Sequence, residues 1–179
     1  MKLRLILSAI ITLVTLSAFG ADKTPIQIPK AVLDRHNASC PEFSSEQGKY
    51  MTKEVYTLPK GEYSQSLKSL YILGCELFAY NSMEKAYIVD SYGDIANVVV
   101  AEVVFDKSIT ATSDLMGTSF DQASLMLSTY SKGRGMGDCG SSAAYQYDAN
   151  YQNFFLLEAR LKNNCDGDME SQWPVVYSK

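Results

Sequence analysis

The sequence predicts a mainly β domain: an antiparallel meander or sandwich of about seven to nine short strands, with one short N-terminal helix and two disulfides. Three observations predict it. From about Glu54 onward apolar and polar residues alternate in short runs, the period of a half-buried strand. Turn-forming residues recur about every 10–15 positions, the spacing of hairpins rather than of strand–helix–strand units. The chain also carries four cysteines, an even number, behind a leader of the export type.

The leader comes first. Lys2 and Arg4 form a short positive region, and Leu5 to Phe19 is an apolar run interrupted by Ser8, Thr12, Thr15 and Ser17. Ala18 and Gly20 supply the small residues of a cleavage site, so residues 1–20 read as a signal peptide and Ala21 as the mature N-terminus. The run is short for a membrane span, which needs about 20 apolar residues. Without a cysteine at the cleavage point a lipid anchor is not expected, and no stable membrane anchor should remain after cleavage. Residues 21–27 are expected to be a disordered leader, and residues 28–179 one β-rich domain.

Within the domain, Ile28 to His36 can form a short helix whose first turn tolerates Pro29, with Val32 and Leu33 turned to the body. Ser39 to Gly48 is a loop carrying Cys40. Strands are predicted at Leu67–Cys75, at Lys85–Asp90 before a turn over Ser91–Asp94, and at Asn97–Phe105. In the last of these Val99, Ala101, Val103 and Phe105 share a face opposite Glu102. Further strands fall at Ser124–Tyr130, Ala143–Tyr147 and Asn153–Lys162, the last two flanking a hairpin turn at Asp148-Ala149-Asn150. Phe155, Leu157, Ala159 and Leu161 are expected to point inward, with Glu158 and Arg160 outward. Trp173–Tyr177 closes the chain as an edge strand, because Pro174 cannot donate to a central ladder.

Charge and cysteines narrow the function classes. The formal charge of −4 becomes −6 once Lys2 and Arg4 leave with the leader. Such a chain is a poor ligand for nucleic acid or anionic lipid. Cys40, Cys75, Cys139 and Cys165 allow three pairings. Cys40–Cys75 with Cys139–Cys165 is favoured, since each links sequence neighbours, and a 26-residue loop closed this way contributes roughly 3.5 kcal/mol in the chain-entropy model. A metal site is not expected: C-x-x-C does not occur and His36 is the single histidine. No cofactor motif is present.

The densest chemical signal is Ser131 to Gly140, with glycines at 133, 135, 137 and 140. Consecutive amides of such a loop can form an anion nest, reinforced by Lys132 and Arg134, so Lys132, Gly133, Arg134, Gly135, Gly137 and Asp138 are the candidate binding residues. The spacing fits neither a Walker loop nor a dinucleotide fingerprint. A tight connection pinned by Cys139, with Asp138 capping local amides, explains the same residues structurally. No catalytic residue is assigned. Cys139 has no histidine near it in sequence, and Asp138 would raise its pKa. Asp166, Asp168 and Glu170 alternate as in oxygen-rich calcium loops but lack the EF-hand's twelve-residue frame, and read as a solvated acidic turn. Glu102 and Glu158 are the acids considered for hydrolysis, whose separation the sequence leaves open.

Lys132-Gly133-Arg134-Gly135-Met136-Gly137-Asp138-Cys139-Gly140 resembles the K-G-R-G-[LM]-G-D-C-G signature of the bacterial domain-of-unknown-function family 1176. Upstream, Leu73-Gly74-Cys75, Ala79-Tyr80-Asn81, Ser119-Phe120-Asp121 and Leu127 to Tyr130 are similar to that family's segments. Downstream, Tyr145 to Asp148, Phe155 to Leu157, Cys165 and Trp173 to Tyr177 continue the likeness. Tyr147 and Glu76 stand where tryptophans are often found in the family. The resemblance implies export and a shared fold, and transfers no active site. The expected function is therefore a non-catalytic binding or inhibitor-type module, periplasmic or secreted, for a protein or cell-wall ligand. The alternative is a hydrolase acting on an envelope polymer through carboxylates.

Overall fold

The computed structural model describes residues 26–64, 66–104 and 107–179, so the expected signal peptide and most of the expected leader lie outside the described residues. The domain is layered as helix, sheet, sheet. The helix α1 (Lys30–Ser39) starts just after Pro29, whose carbonyl accepts from the amides of Val32 and Leu33. Two 3-10 turns follow at Pro41–Ser44 and Gln47–Tyr50. Strands then run β1 (Lys53–Leu58), β2 (Lys68–Leu77), β3 (Ser82–Asp90), β4 (Ile95–Asn97), β5 (Val100–Val103), β6 (Ile109–Thr112), β7 (Leu115–Met116), β8 (Ser119–Asp121), β9 (Met126–Lys132), β10 (Gly140–Asp148), β11 (Asn153–Lys162) and β12 (Val175–Ser178).

The fold is mainly β and antiparallel, with neighbours in sequence pairing in space. The first sheet has the order β1-β2-β3-β4, with β7 also on β3; the second has the order β12-β11-β10-β9-β8; β5 and β6 form a separate ribbon. The inner faces share one core: Leu70, Ile72, Ala86 and Ile88 from the first sheet, Leu127, Tyr145, Phe154 and Leu156 from the second, and Val100 and Val103 from the ribbon. A second core lies on the other face of the first sheet, where Val32 and Phe43 meet Leu73, Tyr87 and Val89. That double burial explains why β2 is buried continuously from Leu70 to Cys75 instead of alternating. The favoured pairing is found: Cys40–Cys75 ties the N-terminal layer to β2, and Cys139–Cys165 ties the start of β10 to the segment after β11.

Several expectations are corrected. Twelve strands are present among the described residues because β4, β7 and β8 have only two or three residues, too few to show a period. The predicted run Asn97–Phe105 is two strands. The chain leaves the first sheet after Asn97 and enters the ribbon at Val100, so Val98 is buried and Val99 exposed, the reverse of the expected face; Phe105 is outside the described residues. The inward set of β11 is Phe154, Leu156, Ala159 and Leu161, with Phe155 exposed. A bulge explains this: the register passes from Ala144↔Glu158 to Tyr145↔Leu156, leaving Leu157 as the extra residue and inverting the faces before it. The strand predicted from Ser124 begins at Met126, because Leu125 sits in a turn with φ 57°.

Candidate functional site

The signature segment leaves β9 at Lys132 and re-enters the sheet at Gly140, so it is the β9–β10 connection. Its charges meet each other first. Arg134 Nε donates to Asp138 Oδ1 at 2.7 Å while its Nη2 donates to Oδ2, a bidentate pair. The Gly167 amide adds a bond to Asp138 Oδ2 at 2.6 Å. The Asp138 side chain is fully buried and that of Arg134 is 42% exposed. The Arg134 guanidinium, helped by the Gly167 amide, holds the Asp138 carboxyl well below the usual carboxylate range. Arg134, one of the candidate anion-binding residues, is thus paired inside the loop with Asp138, and the amides of Gly133 and Gly137 donate to loop carbonyls.

The other loop residues fix its shape. The Lys132 amide donates to Asn81 Oδ1 and the Lys132 carbonyl accepts from Asn81 Nδ2, both at 2.9 Å, so the Asn81 side chain pairs with the backbone as another strand would. The Gly133 amide bonds to the Cys139 carbonyl, and that of Gly137 to the Arg134 carbonyl. Gly140 has φ 140°, and a Cβ there would lie 1.9 Å from the Ser131 carbonyl oxygen, so no side chain fits. Gly135 lies against the Tyr80 ring. The Ala79-Tyr80-Asn81 and signature segments, over 50 residues apart in sequence, form one unit: the β2–β3 turn clamped onto the β9–β10 connection.

Aromatic rings surround this unit. Tyr130 stacks on Trp173 with centroids 5.0 Å apart and planes 11° from parallel. The Tyr130 hydroxyl donates to the Gly137 carbonyl, and Arg160 Nη1 donates to the Trp173 carbonyl and to Gln172 Oε1. An open hollow of about 480 Å³ is lined by Tyr130, Gly137, Ser142, Arg160, Ser171 and Trp173 among others. A second, of about 340 Å³, is lined by Phe78, Tyr80, Asn81, Ser82, Tyr130 and Lys132 among others. Tyr130 borders both. Sequence reasoning missed this ring pair, since residues 43 positions apart show no pattern; the one available signal was that the chain's single tryptophan lies in a family-like segment.

The acids behave differently. Glu102 shares a narrow cleft with Asp114, Thr112, Thr129, Ser142 and Tyr145, and burial, with Asp114 nearby, pushes the Glu102 carboxyl up. Glu158 is not in that cleft; it accepts from Arg160 Nε at 2.6 Å. The space enclosed between Glu102 and its neighbours is about 20 Å³, room for one water. A pocket for an organic substrate takes about 300–1,000 Å³. Asp166 and Asp168 cap local amides, those of Asp168 and of Glu170 and Ser171, and Asp166 also pairs with Lys162 at 2.8 Å. Among the described residues one grouping of metal-capable side chains, Asp138, Cys139 and Cys165, comes within 4.8 Å, but its two sulfurs are bonded to each other. His36, the single histidine, lies on the buried face of α1, with its ring between the Tyr87 hydroxyl and the Gly74 carbonyl beside the second core.

Comparison with known proteins agrees with the resemblance. An uncharacterized protein of Escherichia coli (strain K12), YpfG, is 33% identical over 113 residues, which cover 62% of this chain and 32% of that relative. The chain therefore spans about a third of the length of the curated relative it matches. No solved structure matches. The model of the family described as protein of unknown function (DUF1176) matches residues 23–179, a span that contains all of the described residues, and the chain belongs to that family.

Proposed function

We propose that this protein is an exported, non-catalytic binding module, periplasmic or secreted, whose ligand docks on the aromatic face around the β9–β10 connection. One observation carries the reading: two open hollows meet at Tyr130 and are lined by Phe78, Tyr80, Lys132 and Trp173, whereas the Glu102 cleft has room only for a water. Half-exposed aromatic side chains held in place by hydrogen bonds are what binding surfaces use, because they offer large contact area at small entropic cost. Lys132 and Gly137 border the hollows, while the Arg134–Asp138 pair keeps the loop in shape. Export is supported by the leader and by two disulfides, which persist in oxidising compartments. For the hydrolase alternative, Glu102 shares its cleft with Asp114 rather than with Glu158, and the space enclosed there is about 20 Å³, too small for a sugar ring.

The test is retention of envelope material by the immobilised mature domain, run beside a Tyr80→Ser/Trp173→Ser variant whose circular dichroism matches the parent. Retention of a defined wall or protein component that the variant loses is the expected result. Equal retention by both, or steady turnover of a wall substrate, would overturn the reading.

A further inference from the structure

The chemistry of the two hollows points to a ligand class. We propose that the face binds a linear glycan carrying carboxylates, with one sugar ring on the Tyr130–Trp173 stack and an acidic unit against Lys132. This rests on the binding-module reading above and specifies its ligand.

Tyr130 borders both hollows, so a ligand reaching the two must cross it as an extended chain. Two rings stacked within 11° of parallel offer a flat apolar surface. A flat ligand face extends such a stack, and the C–H face of a pyranose is one. The serine hydroxyls of Ser82, Ser142 and Ser171 lie along the same two hollows, suited to a ligand rich in hydroxyls.

The charge argument selects the acid. Three basic groups near this face have acidic partners: Arg134 with Asp138, Arg160 with Glu158 and Lys162 with Asp166. Lys132 borders the Tyr80 hollow and, among the described residues, has no carboxylate within 4.0 Å. Its backbone is held by Asn81, and its side-chain carbons lie alongside Gly137. At the other end, Asp168 and Glu170 flank Met169 beside the Trp173 hollow. The groove is therefore polarised, with the carboxylate of the ligand favoured at the Lys132 end and a neutral ring at the Trp173 end. The protein's overall negative charge does not oppose this strongly, because exposed charges beyond about 8 Å are screened at physiological ionic strength.

A matched pair of probes tests it: peptide-free peptidoglycan strands, in which every second sugar carries a lactyl carboxylate, and chito-oligosaccharides, the same backbone without the acid. Trp173, as the single tryptophan, reports binding by its own fluorescence. We expect both probes to change Trp173 emission, the acidic strands binding about tenfold more tightly, and Lys132→Gln to abolish that difference without changing Tm. Lys132→Arg should preserve it. No emission change with either probe would overturn the glycan assignment, as would displacement of bound strands by a proline-rich peptide of higher affinity. Equal affinities unaffected by Lys132→Gln would overturn the acidic class. If the strands fail while envelope retention still depends on Tyr80 and Trp173, only this inference falls; if retention also fails, the binding module falls with it.

Discussion

At the scale of single residues, Asp138 and His36 give the molecule two separate pH dependences. The folded pKa of Asp138 is depressed, so its contribution is complete above the ordinary carboxylate value of about 3.9 and is lost as pH falls further through the folded value. Asp138→Asn should lower Tm at neutral pH, and the gap to the parent should narrow only below about pH 4. Burial lowers the pKa of His36, outweighing its bond to the Gly74 carbonyl. Protonating His36 therefore opposes folding, and stability should fall as pH drops below about 6.5, with a slope of at most about 1.4 kcal/mol per pH unit. His36→Gln should flatten the Tm profile between about pH 7 and 5 while leaving the acid limb that belongs to Asp138. A Gly140→Ala variant puts Cβ against the Ser131 carbonyl at a φ that side chains avoid; a cost of at least about 1–3 kcal/mol should appear in denaturant unfolding.

At the scale of elements, β9 and its connection to β10 join the core to the aromatic face proposed to bind ligand. Leu127 on β9 is fully buried between the sheets, and Leu127→Ala should cost about 2–5 kcal/mol by thermal unfolding. The Cys139–Cys165 bridge holds the far end of the same element beside Gly167, whose amide reaches Asp138. Replacing both cysteines by serine should cost about 2–5 kcal/mol and should also weaken ligand retention, because it frees the segment that leads to Trp173. Loss of stability with retention intact would mean that the bridge stabilises the fold without shaping the face. The β11 bulge matters at this scale as well. It lets Phe154 and Leu156 join the core in one phase and Ala159 and Leu161 in the other, while Arg160 stays outside to hold Trp173.

At the scale of the whole molecule, one covalent bridge joins the helix layer to the first sheet and the other closes a loop at the edge of the second, while the two sheets are held together by their shared apolar core. Material recovered from the native envelope should begin at Ala21 and show no titratable thiol until it is reduced. Unprocessed chain with four free thiols would contradict export.

The sequence by itself determined the β class, the strands of good length and the prominence of the signature loop, and among three possible disulfide pairings it favoured the one that is found. Alternation, turn residues and cysteine spacing are local properties that survive in any arrangement of the chain. It did not determine the inward face of β11 or the break after Asn97, because a bulge and a change of sheet are decided by what the strand meets across the core. Nor did it show that Asp138 pairs with Arg134, that Asn81 pairs with the Lys132 backbone, or that Tyr130 stacks on Trp173. Asn81–Lys132 and Tyr130–Trp173 lie 51 and 43 residues apart; the first is made only when the two sheets close and the second when the strands of the second sheet assemble, and both events are driven by apolar area from the whole chain rather than by any one segment.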